Sequence, residues 1–111
     1  MSIYISLVSY TQEGISKIKD SPARMDTAKK AATAMGGKIL DVYLTMGRYD
    51  GVVISDFPDD ATYAKFMLTV ASSGFMSTET LKALSEPEFR KILSSLGGVG
   101  NETGQKFRLM P

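Results

Sequence analysis

The chain has 111 residues, with 13 Lys and Arg against 12 Asp and Glu and a hydrophobic share of 43%. That is one domain's worth of chain, too apolar for disorder and unlike a collagen or coiled-coil composition, and its net charge of +1 offers no cationic surplus for a run of phosphates. Histidine and cysteine are both absent, which removes thiolate and imidazole nucleophiles, Ser–His–Asp relays, disulfides and the common zinc and haem ligands.

The first residues, Met-Ser-Ile-Tyr-Ile-Ser-Leu-Val, lack the basic start of a secretory leader and enter an alternating pattern at once. No apolar run is long enough to span a bilayer, so no membrane role is expected and a cytoplasmic location is the default. The alternation predicts a strand over Ile3–Tyr10, with Ile3, Ile5 and Leu7 on one face and Tyr4, Ser6, Val8 and Tyr10 on the other. Thr11 is placed to cap a short turn containing Gly14, Ile15 and Ile18. Ser21-Pro22 reads as an N-cap followed by proline at the first helical position. The helix from there lines up Met25, Ala28, Ala32 and Met35 and stops at Gly36-Gly37.

Lys38–Met46 predicts a second strand, with Leu40, Val42, Leu44 and Met46 opposite Ile39, Asp41, Tyr43 and Thr45. Gly47-Arg48-Tyr49-Asp50-Gly51 makes a tight connection to a third strand through Val52, Val53 and Ile54, ending near Phe57. Pro58 and Asp59 open a second helix carrying Tyr63, Phe66, Met67, Val70 and Ala71. A fourth strand runs from about Phe75 to Leu84, and Ser85-Glu86-Pro87-Glu88 is a capping box that starts a short helix through Phe89, Ile92, Leu93 and Leu96. The remaining segment, 97–111, holds four glycines and no clear period, and reads as a tail to a single domain over 1–96.

The element order predicts a split β-α-β α+β fold, βαββαβ with an extra C-terminal helix: a four-stranded antiparallel sheet with both main helices on one face. The bulkier face of Ile3, Ile5 and Leu7 is expected under the helices. The other would carry Tyr4, Val8, Tyr10, Tyr43, Thr45 and Val53, too apolar to stay wet. A second copy of the chain is the simplest cover, so a homodimer or larger assembly is expected.

Thr11-Gln12-Glu13-Gly14, Lys19-Asp20-Ser21-Pro22-Ala23-Arg24, Gly36-Gly37, Tyr43-Leu44-Thr45-Met46-Gly47, Arg48-Tyr49-Asp50 and Thr78-Glu79-Thr80 together resemble the GYD domain family, with Arg48 standing between the Gly and the Tyr of its signature. The resemblance covers about residues 3 to 93. It implies a ferredoxin-like, dimeric α/β barrel and supplies no catalytic residues, because the family is uncharacterised.

Two clusters stand out as ligand-binding candidates. At the hairpin, Arg48 offers a fork for a carboxylate or phosphate, Tyr49 a phenol donor and Asp50 a base. The plainer reading gives Asp50 to backbone N–H groups, Tyr49 to packing on the sheet end, and Arg48 to solvent or Asp50. On the sheet, Tyr10, Tyr43, Ser6, Thr45, Thr78 and Thr80 mix small hydroxyls with rings, which suits either a pocket or a subunit interface. The Lys19–Arg24 segment is a helix start rather than an anion site, and the seven dispersed methionines are core filler.

Neither a metal nor a cofactor is expected. The main expectation is a homodimer that binds a small, partly apolar molecule between sheet and helices. The alternatives are a cofactor-independent monooxygenase or isomerase, by similarity of shape to the antibiotic-biosynthesis monooxygenase superfamily, with Tyr10, Tyr43, Arg48 and Asp50 as working groups, and a purely structural or subunit-interaction role.

Overall fold

Alternation along Ser2–Tyr10 makes β1 (Ser2–Tyr10) the strand from which the rest of the sheet is built, and it takes a partner on each edge. The computed structural model describes residues 1–96; the segment 97–111 expected to be a tail lies outside the described residues. After β1 come a short helix α1 (Gln12–Ser16), a 3-10 turn (Ile18–Asp20) and α2 (Ser21–Ala34). They are followed by β2 (Lys38–Leu44), β3 (Gly51–Phe57), α3 (Asp60–Ala71), β4 (Met76–Ala83) and α4 (Glu86–Ser95). The strands lie in the order β2-β3-β1-β4, every neighbouring pair antiparallel, as the split β-α-β pattern predicts.

Local chemistry sets most boundaries. Thr11 Oγ1 accepts from Gly14 N at 3.1 Å, and Asp59 Oδ1 accepts from Thr62 N at 2.8 Å, capping α1 and α3. Ser85 and Glu88 close the capping box at α4. Gly36 ends α2 with φ of 82°, a conformation that disfavours any side chain. At Gly37 a Cβ would stand 2.4 Å from the Phe57 ring, so glycine there lets the chain pass beneath the core. Ser21 differs from expectation. The 3-10 turn runs directly into α2, so Ser21 is already helical, and its hydroxyl accepts from Arg24 Nη2 instead of capping backbone.

The faces of the sheet are the reverse of those expected. Tyr4, Ser6 and Val8 are the buried residues of β1, and the cluster of Tyr4, Ala32, Phe57, Tyr63 and Phe66 forms the core beneath α2 and α3. Ile3, Ile5, Leu7, Val52, Ile54 and Leu81 share the other face by register. Both alternating sets are apolar, so periodicity alone could not choose between them. Complementarity does: small Ala32 on α2 leaves room for rings, and the α3 rings Tyr63 and Phe66 meet Tyr4 and Phe57. An irregularity between Ile39 and Asp41 also shifts β2, putting Ile39 on the same face as Val42 and sending Asp41 and Tyr43 to the other. β2 stops at Leu44 rather than Met46.

Among the described residues no helix packs broadly on the Ile5–Ile54 face. The apolar residues of α4 and its C-cap, Phe89, Ile92, Leu93 and Leu96, remain 38–46% exposed.

Candidate functional site

The helix-covered face has two ends. At the N-terminal end of β1 the rings close completely. Tyr4 stacks on Tyr63 with centroids 4.1 Å apart, and Phe57 meets Tyr63 edge-on at 5.4 Å. The polar tips of these rings are all used. The Tyr4 hydroxyl donates to Asp60, whose carboxylate also holds Lys82 Nζ at 2.9 Å. The Tyr63 hydroxyl lies 2.5 Å from Ser6 Oγ and 2.8 Å from Thr80 Oγ1. Burial, with the Asp60 contact added, pushes the Tyr4 phenol up to about 12. The hydrogen bond from Tyr4, and then Lys82, hold the Asp60 carboxyl below its usual range.

Toward the C-terminal end of β1 the same sheet and helices leave a cavity of about 570 Å³. Its walls come mainly from Val8 and Val53 on the sheet, Met25 and Ala28 on α2, and Met67 and Val70 on α3. Tyr10, Asp50, Thr78 and Arg24 add polar groups to this mostly apolar lining. The volume lies in the ordinary range for small-molecule sites. Arg24 is held in place: Nη1 donates to the Lys17 carbonyl at 3.1 Å, Nη2 donates to Ser21 Oγ at 3.2 Å, and the guanidinium lies 4.3 Å from the Phe75 ring centroid.

The six residues expected to bind ligand fall into two groups. Tyr10 and Asp50 border the cavity together, because Asp50 Oδ2 accepts from Tyr10 N at 2.9 Å while Asp50 N donates to the Val8 carbonyl at 2.8 Å. Tyr43 also borders it at the β2 edge, although its pairing with Val52 puts its side chain on the opposite face. Thr45, Arg48 and Tyr49 lie outside its walls and build the hairpin. Thr45 N donates to the Asp50 carbonyl at 3.0 Å and Thr45 Oγ1 donates to the Tyr49 carbonyl at 2.6 Å. The Tyr49 hydroxyl donates to Glu79 at 2.9 Å, which raises its pKa, and the Arg48 guanidinium sits 5.4 Å from the Tyr49 ring centroid rather than on Asp50. The signature triplet therefore splits: Asp50 ties the hairpin to β1 beside the cavity, while Tyr49 reaches β4 on the far side.

Sequence reasoning did not single out Phe75, Met67 or Val70 as site residues, and it set Arg24 aside with the Lys19–Arg24 segment as a helix start. Ser21 and Arg24 stand three apart, a spacing that puts both on one helix face, and this was the available signal. Nothing in the linear pattern brings Phe75 beneath Arg24. Among the described residues no group of three or more acidic residues is placed to hold a metal, and no helix is long and apolar enough to cross a membrane.

Comparison with known proteins agrees with this architecture. The GYD domain family matches residues 4–93. A Thermus thermophilus protein named glutamine synthetase and cystathionine beta-lyase binding protein is 31% identical over 85 residues, covering 76% of this chain and 90% of its own. A feast or famine regulatory protein from M. tuberculosis, solved in complex with L-methionine, has a similar fold at a TM-score of 0.59 and 12% identity. That match covers 77% of this chain, which spans about half (51%) of the regulatory protein. A crystal structure of a further protein from Thermus thermophilus aligns at a TM-score of 0.50 with 20% identity, over 77% of this chain and 95% of the other.

Proposed function

We propose a non-catalytic ligand-binding role for this chain, which belongs to the GYD domain family: two copies associate through the uncovered sheet face, and each holds a small, largely apolar molecule between its sheet and helices. The observation that carries the reading is the cavity of about 570 Å³ between the sheet, α2 and α3. A recess of that size, partly open to solvent and lined by apolar side chains, lacks packing that a filled core would supply, and a chain of this length has little packing to forgo. A bound molecule restores those contacts. Within the site, Tyr10 and Asp50 form one polar edge of the cavity, bonded to each other, while Thr45, Arg48 and Tyr49 hold the hairpin that positions Asp50.

The opposite face motivates self-association. Ile3, Ile5, Leu7, Val52 and Ile54, all half-buried, lie together on this face by register, and α4 carries a separate apolar stripe that is also half-exposed. The ferredoxin-like neighbours support the fold on which such pairing is built.

Thermal-shift screening against a chemically broad metabolite set tests ligand binding; a melting temperature that no compound raises overturns it. Sedimentation of dilute protein tests pairing, and a single well-folded 12.0 kDa particle overturns that half.

A second reading is favoured by the Thermus relative, whose name describes binding to two enzymes. On this reading the chain docks on a metabolic enzyme, with the α4 stripe as the contact. Co-elution with purified glutamine synthetase would support it, and separate elution at micromolar concentration would remove it.

A further inference from the structure

We propose that the cavity selects an amphiphilic carboxylate, a compound whose apolar body lies between α2 and α3 and whose carboxylate meets Arg24 at the wall. The inference rests on the cavity being a ligand site and goes one step further, to the chemical class of the occupant.

The argument starts from charge. The charged residues on the lining are Arg24, Lys29 and Asp50. The acid is already engaged, since Asp50 Oδ2 takes the Tyr10 N–H. Arg24 forms no ion pair among the described residues, so the lining has more positive than negative charge to offer. A ligand that balances it carries a negative charge.

The second step is orientation. Arg24 is not a free surface side chain. Bonds to the Lys17 carbonyl and Ser21 Oγ, together with the Phe75 ring against its guanidinium, hold its plane. These contacts engage two of its nitrogens and leave further N–H donors unspent, in the planar fork that matches a carboxylate. Because the side chain is ordered before the ligand arrives, little rotamer freedom is lost on binding. The 3-10 turn running into α2 explains the arrangement, since it presents the Lys17 carbonyl and turns the Ser21 hydroxyl toward Arg24.

The third step is the body. Away from Arg24, Tyr10 and Asp50 the wall is mainly Val8, Val53, Met67 and Val70, and the hydroxyls of Ser6, Thr27, Thr69 and Ser73 on it are already bonded within the protein, which would leave most donors and acceptors of a polar compound such as a sugar phosphate unmatched. An apolar chain or ring loses nothing there.

The test compares three probes of known chemistry by calorimetry and thermal shift: decanoate, decan-1-ol with the same body and no charge, and acetate with the head alone. The expected result is that decanoate binds about tenfold more tightly than decan-1-ol, the gain typical of a hydrogen bond to a charged group, and that acetate does not bind. In Arg24→Gln the advantage of decanoate over decan-1-ol falls to about twofold or less. Equal binding of decanoate and decan-1-ol to the wild type overturns the carboxylate assignment and leaves the cavity reading standing. If neither raises the melting temperature, the cavity reading falls with it. Acetate binding as tightly as decanoate overturns the role given to the apolar walls. The wild-type comparison of the two heads does not depend on the variant folding.

Discussion

The two ends of the helix-covered face are made by the same strands and the same two helices, yet they are packed to opposite degrees. At the Tyr4 end, Ala32 and Phe57 are 0% exposed, and Tyr4 and Tyr63 satisfy both their rings and their hydroxyls. At the Tyr10 end, the first half of α2 and the second half of α3 stand around a cavity. The difference follows from side-chain volume. α3 sends Tyr63 into the first end, lets Phe66 border both, and gives the second only the smaller or more flexible Met67, Thr69 and Val70, while α2 faces the cavity with residues that include Met25 and Ala28. Stability is therefore concentrated at one end and the space for a ligand at the other.

The hardest test of that division is Phe57→Ala. Removing a fully buried ring in contact with Tyr4, Tyr63 and Phe66 should cost about 3–5 kcal/mol by urea denaturation. A loss below about 1.5 kcal/mol would mean that the Tyr4 end is not where the fold is held together. Next is Tyr63→Phe, which keeps the ring and deletes the hydroxyl shared by Ser6 and Thr80. Ser6 is 1% exposed, so its hydroxyl would be left without this partner, at a cost of about 1–3 kcal/mol. A neutral outcome would show that the network is ornamental to stability.

How far this was readable in advance differs between the ends as well. The strands and helices followed from alternation, from the caps at Thr11, Asp59 and Ser85, and from Gly36-Gly37, because each is a local rule acting within a few residues. The choice of face was not local. Ile3-Ile5-Leu7 and Tyr4-Val8 are both apolar, and only the volumes on α2 and α3 decide which set lies beneath them. The shift in β2 near Leu40 was equally invisible, and it sends Tyr43 away from the face that sequence reasoning gave it. Of the residues that border the cavity, Tyr10 and Asp50 were among the sequence candidates because hairpin and strand positions can be counted. Arg24 on Phe75 joins residues 51 positions apart and leaves no periodic trace.

Acid–base behaviour sharpens the comparison through Tyr4. The fold favours its protonated phenol, so the stability it contributes is fully present below the ordinary value of 10.0 and is lost as pH climbs toward about 12. Denaturation midpoints of the wild type should therefore fall more steeply than those of Tyr4→Phe between pH 10 and 12, with lysine deprotonation common to both. Parallel curves would remove Tyr4 from the account. Asp60 acts at the other extreme. Its carboxyl is depressed, so its contribution is present above the unfolded value, 3.8, and is lost as pH falls through the lower folded one.

The smallest expected change in stability is also the most informative about function. Ala32 and Ala28 occupy the same face of α2 one helical turn apart, one in the sealed end and one on the cavity wall. Enlarging the first, Ala32→Leu, forces side chains into occupied space and should cost about 1–3 kcal/mol. Enlarging the second, Ala28→Leu, places the added methyl groups in empty volume, where burial offsets the lost rotamer freedom, and stability should change by less than about 0.5 kcal/mol in either direction. The same Ala28→Leu variant should lose binding of any ligand that stabilises the wild type, read as the disappearance of its thermal shift. A large destabilisation at Ala28 would mean that no room exists there, and retention of the thermal shift would mean that the ligand lies elsewhere.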